Sequence, residues 1–360
     1  MIKKKLSPFA LVLACVALLG QSAVHADNKH DRPLGDSKVI APVPFPGYPE
    51  GIAVHGSLVY VSGPAAFGVP GNFDASKIFA FDKETGALVK TITIQGQTQF
   101  PKAISCIAFG EDDDLYVLDE EQGVLKINVE TGQQSVYSAG FHPVYQSAFN
   151  PPAPVLLNDL AFDKRGYLYV TDSFEATIWR VPPGGGAPQV WFQGAQIDGP
   201  FGPNGARVDS KSEKLYFSVT FDAGGAGYIY TLPLVDHPSA SDLQLFHVYT
   251  PGAGPDGMAF GKSGNLYVAL AGYSIISVLG PDGSEQTTYH GPAQNPASPS
   301  NPLPWANPAN IAFNDRTGAL LVTNHASLTG LPDPSPLFAV FDVYVNDKAG
   351  KLFKGGDDDN

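Results

Sequence analysis

Four oxygen-bearing side chains, Glu50, Asn158, Asn204 and Asp256, stand at the same place in four near-copies of one short pattern. They open the segments EGIAVHGSLVYVSG, NDLAFDKRGYLYVTD, NGARVDSKSEKLYFSV and DGMAFGKSGNLYVAL. Two carboxylates and two amide carbonyls make an all-oxygen donor set, which suits a hard divalent cation. Calcium is the natural choice, because it accepts about six to eight loosely arranged oxygens. Zinc prefers His or Cys, and these four positions carry neither. Crowded together without a cation, two carboxylates raise each other's pKa, a cost that a cation removes. A single Asn, Asp or Glu after Pro or Gly is ordinary turn chemistry; four at one register are harder to dismiss.

Two further copies begin at Ser105 (SCIAFGEDDDLYVLD) and Ala309 (ANIAFNDRTGALLVTN), so the pattern starts at 50, 105, 158, 204, 256 and 309. Steps of 46 to 55 residues fit a four-stranded propeller blade better than a helical repeat. With 39 glycines and 32 prolines and frequent alternation of β-branched or aromatic residues, the chain is rich in strand and turn signals and poor in helix signals. The expected fold is all-β: a six-bladed β-propeller with four antiparallel strands per blade. Residues 38–43 are placed to clasp the sixth blade beside residues 338–345, with residues 351–354 competing for that role.

In a propeller the inner strands surround the axis, so residues that head them converge on one spot however far apart they lie in sequence. The same antiparallel grammar puts the entry loops 142–157, 194–203 and 291–308 over the anchors, where Tyr145, Phe149, Phe201 and Trp305 are candidates to wall a pocket. Asp172, Asn310 and His325 fall on that face as candidate supporting groups. The acidic run Glu111-Asp112-Asp113-Asp114 falls in a turn on the opposite face and reads as solvated.

Residues 1–26 read as a secretory signal, with Lys3, Lys4 and Lys5, an apolar run, and Val24-His25-Ala26 as the cleavage site. The expected division is therefore signal 1–26, propeller 27–354 and polar tail 355–360, for a secreted or periplasmic monomer with no membrane insertion. Without those lysines, 19 of the 22 basic side chains remain against 35 acidic ones, a formal charge of about −16. Such acidity argues against nucleic acid as a partner and leaves a small-molecule substrate as the expected one. Cys106 alone survives signal removal, so no intramolecular disulfide forms, and its alternating apolar setting suggests a buried side chain rather than a nucleophile. No GxSxG elbow is present to support a covalent serine mechanism.

Pro49-Glu50-Gly51, Asn158-Asp159 with Asp163 and Gly166, Pro203-Asn204-Gly205 with Asp209, and Pro255-Asp256-Gly257-Met258 together resemble the senescence-marker-protein (regucalcin), gluconolactonase and luciferin-regenerating-enzyme family of six-bladed calcium propellers. The resemblance implies that Glu50, Asn204 and Asp256 hold a divalent metal, that Asn158 adds to them, and that Asp256 also handles the proton as general base. The implied activity is metal-dependent hydrolysis of a lactone or related ester. Sugar-lactone members often carry an Arg shortly before the third-blade Asn; Leu156 and Leu157 stand here instead, which points toward a less polar substrate. Two other readings share the fold: a non-catalytic, metal-stabilised propeller that binds a ligand or protein partner, and the condensing enzymes related to strictosidine synthase, which generally lack the metal set.

Overall fold

Each copy of the repeat becomes one antiparallel four-stranded sheet in the computed structural model, which describes residues 32–65, 73–99, 102–150, 155–292 and 303–355. The six innermost strands are Ile52–His55, Ile104–Phe109, Leu157–Phe162, Phe201–Val208, Pro255–Phe260 and Pro308–Asn314. The expected six-bladed propeller is therefore the observed one. The proposed signal and residues 356–360 lie outside the described residues. No helix among the described residues is long and apolar enough to cross a membrane.

Repetition in sequence becomes interdigitation between blades. The Tyr of each LYV-type strand packs edge-on against the Phe of the next blade's AF pair: Tyr60 on Phe109, Tyr116 on Phe162, Tyr216 on Phe260 and Tyr267 on Phe313, with ring centroids 5.0 to 5.4 Å apart. Pairs of this kind add about 0.5–1.5 kcal/mol beyond area burial. Where the fourth blade carries Val208 instead of Phe, Tyr169 turns to Trp191 at 4.6 Å. Apolar clusters fill the remaining space between neighbouring blades.

The ring closes through its first strand. Ser37–Pro42 pairs antiparallel with Ala339–Tyr344 and forms the outer edge of the sixth blade. Leu352-Phe353-Lys354 forms no strand; it covers the far mouth of the central channel beside a second, apolar cavity of about 180 Å³. A belt of hydroxyls ties inner strands together: Ser62, Thr171, Ser218 and Thr323 donate to the carbonyls of Ser105, Asn204, Asp256 and Glu50 in the next blade. The last of these links blade 6 back to blade 1.

At the head of every inner strand the pairing slips by one residue. In blades 2 to 6 the register shifts between Ile104/Ile107, Leu157/Leu160, Pro203/Ala206, Pro255/Met258 and Pro308/Ile311. In blade 1, Glu50 and Gly51 both bond Ser62. Such bulges re-aim side chains, so two successive residues of a strand reach the channel where strict alternation would turn one away.

Candidate metal centre

The bulges build stacked rings. The first holds Glu50, Ser105, Asn158, Asn204, Asp256 and Ala309, and the second Gly51, Cys106, Asp159, Gly205, Gly257 and Asn310. Glycine is required where neighbouring strands nearly touch: a Cβ on Gly205 would stand 2.2 Å from the Asp256 carbonyl oxygen, and one on Gly257 2.4 Å from Asn310 Cγ. Two residues further on, the third ring reads Ala53, Ala108, Ala161, Arg207, Ala259 and Ala312. The single Arg fills the channel that five alanines leave open. Its Nη1 donates to Asp159 at 2.8 Å and its Nη2 to Asn310 at 3.0 Å, while Asn310 Nδ2 reaches Cys106 Sγ at 2.9 Å. This polar plug separates the far cavity from one on the anchor face.

All four sequence candidates line that anchor-face cavity of about 170 Å³. The amides are held in one orientation. Asn158 Nδ2 donates to Ser173 Oγ, which donates to the Pro203 carbonyl; Asn204 Nδ2 donates to Thr220 Oγ1, which donates to the Pro255 carbonyl. Each hydroxyl proton is thus committed, so each hydroxyl oxygen must accept from the NH₂. Asn158 Oδ1 and Asn204 Oδ1 are left buried without a hydrogen-bond partner in the protein, an arrangement that costs about 1–3 kcal/mol per atom unless a ligand meets it.

The carboxylates carry a matching strain. Glu50 is buried and Asp256 half-buried. Burial first, then the charges of Asp256, Asp159 and Glu120, push the Glu50 carboxyl well above its usual range. Asp256 is raised likewise by burial and by Asp159, with Asn204 and the Gly257 N–H opposing. Arg207 serves Asp159. His325 Nε2 lies 3.2 Å from Glu50 Oε2, but burial lowers its pKa to about 4, so the imidazole is neutral at physiological pH and offsets no charge. Two oxygens without partners and two carboxylates without a cation in one cavity fit a hard divalent ion. Among the described residues no three His, Cys, Asp or Glu side chains cluster as a metal site; this donor set depends on its amides.

Other candidates separate by what they touch. Asp172 is fully buried and committed: Oδ1 accepts from the backbone N–H of Leu156, Phe174 and Glu175, and Oδ2 from Trp179 Nε1. Burial pushes its pKa up to about 6, yet its role is to hold the turn. Asp172→Ala is expected to destabilise the fold on the order of 3 kcal/mol by orphaning those donors, measured by denaturant unfolding; a loss under about 1 kcal/mol would refute the role. Phe201 walls the cavity, joined by Phe221 and Leu328, which the sequence reading missed. Tyr145 packs into the core beside blade 3, Phe149 is exposed, and Trp305 is buried against Phe341. None of these three lines the cavity. Leu156 and Leu157 are also core residues.

The SMP-30/gluconolactonase/LRE-like region model matches residues 49–300, well over half of the chain. The chain belongs to this family. Among solved structures, regucalcin, a calcium-binding protein from Agrobacterium tumefaciens, is 15% identical with a TM-score of 0.63, covering 89% of this chain and 97% of that one. Luciferin-regenerating enzyme is 14% identical with a TM-score of 0.59, at 89% and 97% coverage. Virginiamycin B lyase from Staphylococcus aureus is 13% identical with a TM-score of 0.55, at 86% and 99%. At such identities the likeness establishes the fold. No curated protein sequence matches the chain. Within the family's frame, the matched stretch contains all four anchors, whereas the clasp strand and His325 fall outside it.

Proposed function

We propose that this family member is a divalent-metal-dependent hydrolase of a lactone or related ester, with Glu50, Asn158, Asn204 and Asp256 holding the metal and Asp256 acting as general base. The observation that carries the reading is the pair of orphaned amide oxygens facing two uncompensated carboxylates in one cavity. Calcium is the proposed ion, on the strength of the all-oxygen anchors. When bound, it supplies Lewis-acid polarisation of the carbonyl and a water of lowered pKa. Asn158 and Asn204 orient the donor set through the Ser173 and Thr220 hydroxyls. Asp256 takes the proton of the attacking water as a carboxylate positioned beside Asn204 in the same cavity. Phe201, Phe221 and Leu328 exclude solvent from the remainder of the substrate, which favours an apolar acyl or alkyl portion over a polyhydroxylated one. Export and a monomeric state go with this reading.

Hydrolysis of a panel of sugar, alkyl and aryl lactones, measured with and without chelator and with calcium restored, tests it. Turnover that chelation abolishes and calcium restores is the expected result; no turnover across the panel would shift the reading to a non-catalytic propeller that binds a ligand. A second expectation concerns stability. Cation at 100-fold over its dissociation constant should stabilise the fold by about 2.7 kcal/mol, seen as a higher Tm than in the stripped protein. An unchanged Tm, with metal removal verified, would count against the site.

A further inference from the structure

The far half of the central channel plays no part in the chemistry assigned above, yet it encloses a cavity of about 180 Å³. All six inner strands wall it, and carbon makes up most of the surface they present. Phe109, Phe162, Phe260 and Phe313 stand in that wall, each braced edge-on by a Tyr of the preceding blade. The bracing holds the rings at the wall, so they do not collapse into the space between them. Among the described residues three charged side chains reach the cavity, and each is already met: Arg207 by Asp159 and Asn310, Asp315 by the Ala349 N–H, and Lys354 by Asp113. A charged guest would therefore give up its water without gaining a counter-ion. The mouth is crossed by a strap. Ala349 bridges Gly261 of blade 5, and the Lys354 carbonyl accepts the Glu111 N–H of blade 2 at 2.9 Å. Blades 5 and 2 face each other across the ring, so residues 349–354 span the full width of the channel. Between the two attachments Leu352 is 60% exposed, while Phe353 is buried, and both line the cavity.

We propose that the far half of the channel is a second binding site, for a small uncharged molecule with an apolar body of about one ring, held under the strap. Size supports a single ring: an apolar void of about 150 Å³ walled by Leu, Ile and Phe takes up benzene. Committed charge at the floor and rim selects a neutral guest over an anion or a cation. The site is independent of the metal centre, from which the Arg207 plug divides it.

The test is calorimetric titration of the full chain with benzyl alcohol, benzylamine and benzoate, which share a shape and differ in charge, together with crystals soaked in iodobenzene to locate the guest by the anomalous signal of iodine. Benzyl alcohol should bind, and the two charged probes should bind at least about 10-fold more weakly. Iodine should stand among Phe109, Phe162, Phe260 and Phe313. Ala161→Leu, which fills the cavity from blade 3, should weaken benzyl alcohol by at least about 10-fold, because a packed wall leaves no room for the ring. If that variant fails to fold, Ala312→Leu, entering from the opposite blade, carries the same comparison. Leu328→Ala, on the wall of the anchor-face cavity, should leave the affinity for benzyl alcohol as it is. Undetectable binding of benzyl alcohol, iodine found only in the anchor-face cavity, equal affinity for all three probes, or binding indifferent to the leucine variants would overturn the site and leave the metal centre standing.

Discussion

Asp256→Asn is expected to lower kcat on whichever lactone the native protein cleaves by about 10²–10⁴-fold, the usual worth of a general base. The substitution keeps an oxygen of similar shape beside Asn204, so cation affinity should fall far less than turnover. Parallel measurement of kcat and of cation affinity by calorimetry separates the two roles. Near-native turnover would remove Asp256 from the chemistry; equal collapse of binding and turnover would make it a ligand only.

The second large effect lies one layer below. Arg207→Met is expected to destabilise the protein by about 3–5 kcal/mol, the usual result of stripping one partner from a buried ion pair. Asp159 is 2% exposed and its partner 13%, so water cannot replace the guanidinium. Methionine fills much of the channel volume, which isolates the charge from the packing. Asp159→Asn in the same chain should recover most of the loss, and chemical unfolding of the two single variants and the double closes the cycle. If Arg207→Met costs under about 1 kcal/mol, the plug does not hold the ring.

The blades were legible because their signal repeats: the same AF and LYV residues that mark the register also make the contacts between neighbours. The four anchors were legible for the same reason, since shared register implies a shared ring. Arg207 was visible in the same alignment, as the one charged residue in a column otherwise all alanine, but its meaning depends on the third ring facing a channel. Asn310 was already a candidate on the anchor face, but that Asp159, just after its anchor, also reaches the axis was not legible, because alternation turns it into the blade and only the bulge turns it back. His325 follows a strand end whose loop is unlike its counterparts, so no register predicted its approach to Glu50. Phe201 walls the cavity as expected, but Tyr145, Phe149 and Trp305 were misjudged for a related reason. Proximity to a face says nothing about which way a loop side chain turns, and Trp305 turned inward to donate to Ser37.

The clasp has a consequence for biosynthesis. Ser37–Pro42 is among the first segments made, yet its partner Ala339–Tyr344 is among the last. Throughout translation the early strand must stay unpaired, and a chain arrested anywhere before residue 339 can stack blades but never form a closed circle. Contacts this remote in sequence are slow to find, and until they form the nascent ring presents open strand edges at both ends, the surfaces most prone to join another chain. The bond from Thr323 to the Glu50 carbonyl lies on the same seam, so Glu50 is fixed at the head of the first blade only when synthesis is nearly over.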